Sequence, residues 1–115
     1  MTTLNRIGGL HHYAYRCRNA EETRSFYEDL LGLPLAHVIQ ADSVPSTGAS
    51  DPYVHLFFEY ADGSYIAFFD LGDETACTPD PETPSWVNHF AMQVGTVAEV
   101  EEWKKRLEAV GIDVV

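Results

Sequence analysis

Two stretches set 77 positions apart (89 − 12 = 77) limit this 115-residue chain more than any other feature: HYAYRC at residues 12–17 and HFAMQV at residues 89–94. Each opens on a histidine, keeps an alanine two positions later and fills the alternate positions with large apolar side chains. At the same offset Tyr13 falls on Phe90, Ala14 on Ala91, Glu22 on Glu99, Phe26 on Trp103 and Leu30 on Leu107. A strand histidine, helix caps and helix core positions therefore repeat together. That is the pattern of a duplicated β-α-β-β-β unit, and it predicts an α+β fold.

The first copy occupies residues 1–71. Side chains alternate between faces in a strand, so His12, Ala14 and Arg16 share one face while Tyr13, Tyr15 and Cys17 share the other. Asn19 with Glu22 three positions on reads as a helix N-terminus. Ala20, Thr23, Phe26, Tyr27, Leu30 and Leu31 then recur at helical spacing, and Gly32 followed by Pro34 ends the helix. LAHVIQ (residues 35–40), YVHLFFEY and SYIAFFDL read as three strands, the last two joined through Asp62-Gly63, a strong hairpin signal. Residues 72–85 form an acidic, Pro-rich linker that contains Cys77. Residues 86–115 restart the pattern: a strand, then a helix capped by Thr96 and Glu99 with Val97, Val100, Trp103, Leu107 and Val110 on its apolar face. A second strand begins at Ile112, so this copy is incomplete over the given sequence.

Composition narrows the function classes. A net charge of −11 disfavours a nucleic-acid partner. The longest apolar runs are too short to span a membrane, and the first residues lack the layout of a signal peptide. Two cysteines without a CxxC pair suit a reducing, cytoplasmic setting. Acidity alone points to no particular ligand. His12 beside Ala14, and His89 beside Ala91, place an imidazole next to a small residue on the more polar face of each first strand. Two such imidazoles on matching strands suit one Fe²⁺, Mn²⁺ or Zn²⁺ ion. His11, one residue earlier, is expected to face away as a surface neighbour. His37 is assigned to structure, and Asp70 to a solvated strand end.

GLHHYAYR, SFYEDLLGLPL, DGSYIAFFD and VNHFAMQV together resemble the vicinal oxygen chelate superfamily, the group of glyoxalases, bleomycin-resistance proteins and extradiol dioxygenases. The resemblance implies paired units forming a cupped mixed sheet around a metal, with helices on the outer face. It makes His12 and His89 the metal ligands. Many isomerases and lyases of the superfamily carry a glutamate where this chain has Ala67, which turns the expectation towards the extradiol type. That type uses two histidines and one glutamate on the last strand, here expected beyond Val115. The implied activity is ring cleavage of a catechol-like aromatic diol with O₂ and Fe(II), with Mn, Zn or Ni as other metals. Ala14, Tyr65, Ala67, Phe69, Ala91 and His55 would line the substrate pocket. Gly63 and Ser64 stand where the extradiol enzymes have an acid–base histidine, so no catalytic residue is named. The alternatives are a glyoxalase-type isomerase or lyase and a non-catalytic small-molecule-binding module. The unfinished sheet edges further imply a homodimer.

Overall fold

The structure, a computed structural model, describes residues 2–74 and 80–115. Cys77 and the middle of the expected linker lie outside them. The chain forms two compact units, Met1–Thr78 and Pro79–Val115.

Among the described residues the first unit holds four strands: β1 (His12–Cys17), β2 (Leu35–Ala41), β3 (Tyr53–Glu59) and β4 (Tyr65–Asp70). They lie in the order β1-β4-β3-β2. β1 runs parallel to β4, while β4–β3 and β3–β2 are antiparallel. The β3–β4 turn forms as its Asp-Gly pair predicts. Gly63 takes φ 85°, its N–H donates to the Tyr60 carbonyl at 3.0 Å, and the Ser64 N–H donates to Asp62 Oδ1 at 2.9 Å. A positive φ of this size suits glycine because it has no Cβ to clash.

Helix α1 (Ala20–Arg24) starts where Asn19 predicts. The Asn19 side chain accepts the Glu22 N–H at 3.0 Å. Glu22 does not close the capping box in return; its carboxylate pairs with Arg18. Asp70 corrects a sequence expectation. Rather than a solvated strand end, it is half-buried and accepts the Ala20 N–H and the Gly72 N–H, each at 2.8 Å. A carboxylate there satisfies one of the first-turn N–H groups that a helix cannot bond itself. The expected continuous α-helix gives way to a π-helical segment, Ser25–Leu30. Nothing in the sequence marks that switch. Gly32, at φ 76°, ends the segment as expected.

The helix packs on one sheet face. Cys17, Leu56, Phe58, Ile66 and Phe68 form its buried centre, with Phe58 and Ile66 fully enclosed. The Tyr27 ring lies 5.5 Å from Phe58 and 4.8 Å from Phe68, centroid to centroid. Burial, and then Tyr13 and Tyr15 nearby, push the Tyr27 phenol up to about 12. Tyr13 and Tyr60 pair their hydroxyls at 2.7 Å, so neither polar tip enters the core unbonded. A bulge between Leu35 and His37 changes which face β2 presents. Leu35 opposes Phe58 on the helix face, whereas His37 opposes Phe57 on the other face.

In the second unit, helix α2 (Val97–Ala109) begins at Thr96, whose hydroxyl accepts the Glu99 N–H at 3.2 Å. Two expected strands are absent among the described residues: 88–94 and 112–115 join no ladder. Extended chain becomes a strand only when a neighbour pairs with it, and the described residues of this unit hold no strand. No described helix is long and apolar enough to cross a membrane.

Phe58→Ala is expected to destabilise the protein by about 3–5 kcal/mol. Val38→Ala, at a side chain 56% exposed, is expected to change stability by no more than about 0.5 kcal/mol. Urea denaturation of the two variants checks the assignment of the core.

Candidate functional site

The face away from the helix carries the histidines. The strand register brings His12, Ala14 and Arg16 beside Tyr65, Ala67 and Phe69, and these beside Phe57 and His55. His37 joins them from β2 through the bulge. Phe57 is the common wall: its ring lies 5.3 Å from His12, 4.2 Å from His55 and 6.0 Å from His37. His37 also stands 5.7 Å from Tyr65. Strand alternation alone could not assign it to this face, because Leu35 has the same parity and lies on the other.

His12 is exposed on the edge strand. Its Nδ1 lies 2.8 Å from Nδ1 of His11, so one imidazole donates to the other. His11 thus corrects the expectation that it faces away. Its ring turns to the His12 side and lies 5.4 Å from Tyr65. The ladder starts at His12, so strand alternation does not govern the residue before it.

His55 is the unusual member. Its ring stacks on Phe69 at 3.7 Å and 16°, and its Nε2 is buried with no hydrogen-bond partner among the described residues. Burial holds its imidazole below the ordinary value of 6.5, and the charge on His12 adds to the shift. Beside it a cleft of about 630 Å³ opens between β3–β4 and the loop before β3. Tyr53, His55 and Phe69 line it from the sheet, and Val44, Pro45 and Pro52 from the loop. Asp51 and Asp73 also line it, and among the described residues no Lys or Arg does. Arg16 is ion-paired with Asp73.

Of the expected pocket residues, His55 and Phe69 line this cleft. Ala14 and Tyr65 share the face without lining it. Ala67 has no accessible surface, so it supports the face from beneath and, against expectation, does not line a pocket. His89 and Ala91 belong to the second unit, both exposed and outside any strand. His89 Nδ1 lies 3.0 Å from the Val87 carbonyl oxygen. A carbonyl only accepts, so Nδ1 carries the proton and Nε2 keeps its lone pair. Orientation of this kind is typical of metal-ligating histidines. The donor chemistry therefore fits a borderline divalent ion. The ligand set within either unit falls short, since no group of three His, Cys, Asp or Glu side chains suited to an ion occurs among the described residues. Tyr53 is not among the expected pocket residues, although alternation along β3 puts it on the face of His55; nor are Asp51 and Asp73, which reach the cleft from outside the strands.

The Glyoxalase/Bleomycin resistance protein/Dioxygenase superfamily model matches residues 9–115. The chain belongs to that superfamily. Its fold resembles the fosfomycin resistance protein FosX of Listeria monocytogenes, solved with Mn(II) and 1S,2S-dihydroxypropylphosphonic acid. The TM-score is 0.63 at 20% identity, over 94% of this chain and 73% of that one. It also resembles lactoylglutathione lyase from Agrobacterium tumefaciens, with a TM-score of 0.52 at 21% identity, over 96% of this chain and 75% of that one. At these identities the likeness is one of fold. No curated protein matches the chain.

His55→Phe should remove the unpaired buried nitrogen while keeping the stack on Phe69, a gain of about 1 kcal/mol. With the folded value depressed, the unfolded chain takes up the proton first. The neutral ring therefore leaves stability intact above about pH 6.5, and stability falls as the pH drops through that value. Thermal unfolding from pH 8 to pH 5 in metal-free buffer should show a smaller acid loss in the variant than in the parent.

Proposed function

We propose that this superfamily member is a metal-dependent enzyme acting on a small molecule with two adjacent oxygens. Within that class the substrate is an aromatic diol and the reaction is extradiol-type cleavage with O₂ and Fe(II). His12 and His89 supply imidazole ligands, as the internal repeat suggests, and further donors complete the set. When bound, the ion supplies Lewis acidity towards the diol and, as Fe(II), redox access to O₂.

The observation that carries this reading is the chemistry of the histidine face and its cleft. Phe69, Tyr53 and the edge of His55 offer ring surfaces that hold a planar substrate by stacking. His55, kept neutral by burial, adds no charge. Asp51 and Asp73 line the cleft, the latter paired with Arg16, and among the described residues no Lys or Arg lines it to hold a phosphonate or carboxylate. Ala67 and the turn of Asp70 towards the helix leave the fourth strand without a carboxylate on this face, which also favours the two-histidine, one-carboxylate pattern.

The second reading is a glyoxalase- or fosfomycin-resistance-type reaction. The likeness of fold to FosX and to lactoylglutathione lyase favours it. Metal analysis of anaerobically purified protein, followed by oxygen uptake with catechol, decides between the two. Iron in proportion to protein, with catechol-dependent oxygen uptake, is expected. His12→Ala and His89→Ala should each weaken metal binding by at least about 100-fold, more than loss of an outer partner would. Tight Mn²⁺ or Ni²⁺ without oxygen uptake would favour the second reading, and no bound metal would sink both.

A further inference from the structure

His11 stands outside the ladder, yet it is tied to the site at three points. Its Nδ1 lies 2.8 Å from His12 Nδ1. The two rings meet edge to face, 5.0 Å apart at 79°. Its carbonyl accepts the Tyr65 N–H at 3.0 Å, which fixes its backbone beside His12 whatever side chain it carries.

A neutral imidazole has one N–H and one bare nitrogen. Two Nδ1 atoms in hydrogen-bond contact therefore allow two arrangements. In one, His12 Nδ1–H donates to the bare Nδ1 of His11, and His12 Nε2 is bare. In the other, His11 donates, and His12 Nε2 carries the proton. Only a bare nitrogen can bind a metal. The hydrogen bond made by one ring nitrogen decides the state of the other, so the acceptor on His11 determines whether His12 is ready to ligate.

We infer that His11 is a positioning residue for His12: it accepts the His12 Nδ1–H and so presents His12 Nε2 as the metal-binding nitrogen. This rests on the proposal that His12 is a ligand. His89 has a parallel device in the Val87 carbonyl, which can only accept. At His12 a side chain does the same work, so it can be removed by substitution.

The test uses the full 115-residue chain. His11 is exposed and its only strand-like bond is made by its backbone, so His11→Ala and His11→Asn leave the sheet intact. The His12 tautomer is read in metal-free protein from two-bond ¹H–¹⁵N correlations at about pH 8.5, above the ordinary imidazole range. Affinity for Zn²⁺ alone is read by calorimetry. The expected result is an Nδ1–H tautomer in the parent, its loss in His11→Ala, and about 10–100-fold weaker Zn²⁺ binding in that variant. His11→Asn, whose Oδ1 can accept, should restore both. An Nε2–H tautomer at His12 in the parent, or a tautomer unchanged in His11→Ala, overturns the inference. A parent that binds no Zn²⁺ sinks the ligand role of His12, and the tautomer measurement then still decides what His11 does.

Discussion

β1 has one neighbour in the described sheet, β4, and that parallel ladder sets which way His12, Ala14 and Arg16 point. The pairing of His12 with Tyr65 and Ala14 with Ala67 puts the exposed imidazole beside the β4 rings. The same ladder turns Tyr13, Tyr15 and Cys17 to the helix. A slip of one residue would exchange the two sets. The register is held from the helix side, because Tyr13 must reach the Tyr60 hydroxyl and Cys17 must fit beside Leu56, Phe58, Ile66 and Phe68. Asp70 adds a second restraint at the end of β4, where its two oxygens tie the start of the helix and the chain beyond the strand to one point.

The two faces solve different problems. On the helix face, the Tyr13 and Tyr60 hydroxyls are paired and the apolar bodies are buried, as a core requires. On the histidine face, one imidazole nitrogen is buried without a partner and three histidines stand around Phe57. An unpaired buried nitrogen costs about 1–3 kcal/mol. The fold carries this beside a cleft lined with rings and carboxylates, which links the uneven energetics to the place where a ligand would bind.

Membership of the superfamily fixes the architecture and leaves the chemistry open, because a fold of this kind carries several reactions. FosX and lactoylglutathione lyase share the fold and differ from each other in what they are named for. Discrimination therefore falls to the particular side chains: an alanine at 67, a carboxylate at 70 spent on the helix, and a cleft without cations.

Much was legible in the residues themselves. Alternation in HYAYRC, the Asn19 and Thr96 caps and the Asp62-Gly63 turn each act over a few neighbouring positions, so the sequence alone determined the four strands of the first unit, the starts of both helices and the pairing of His12 with Ala14 and Arg16 on one face. The repeat likewise singled out His12 and His89. Tertiary structure decided the rest. The β2 bulge sent His37 to the histidine face, the helix claimed Asp70, packing buried Ala67, and the loop before β3 brought Asp51 to the cleft that His55 lines. His11 turned towards His12 because the ladder begins one residue later. Residues 88–94 and 112–115 read as strands but join no ladder among the described residues. Local patterns record what a segment can become; whether it does so depends on a partner that lies far away in the chain or outside it.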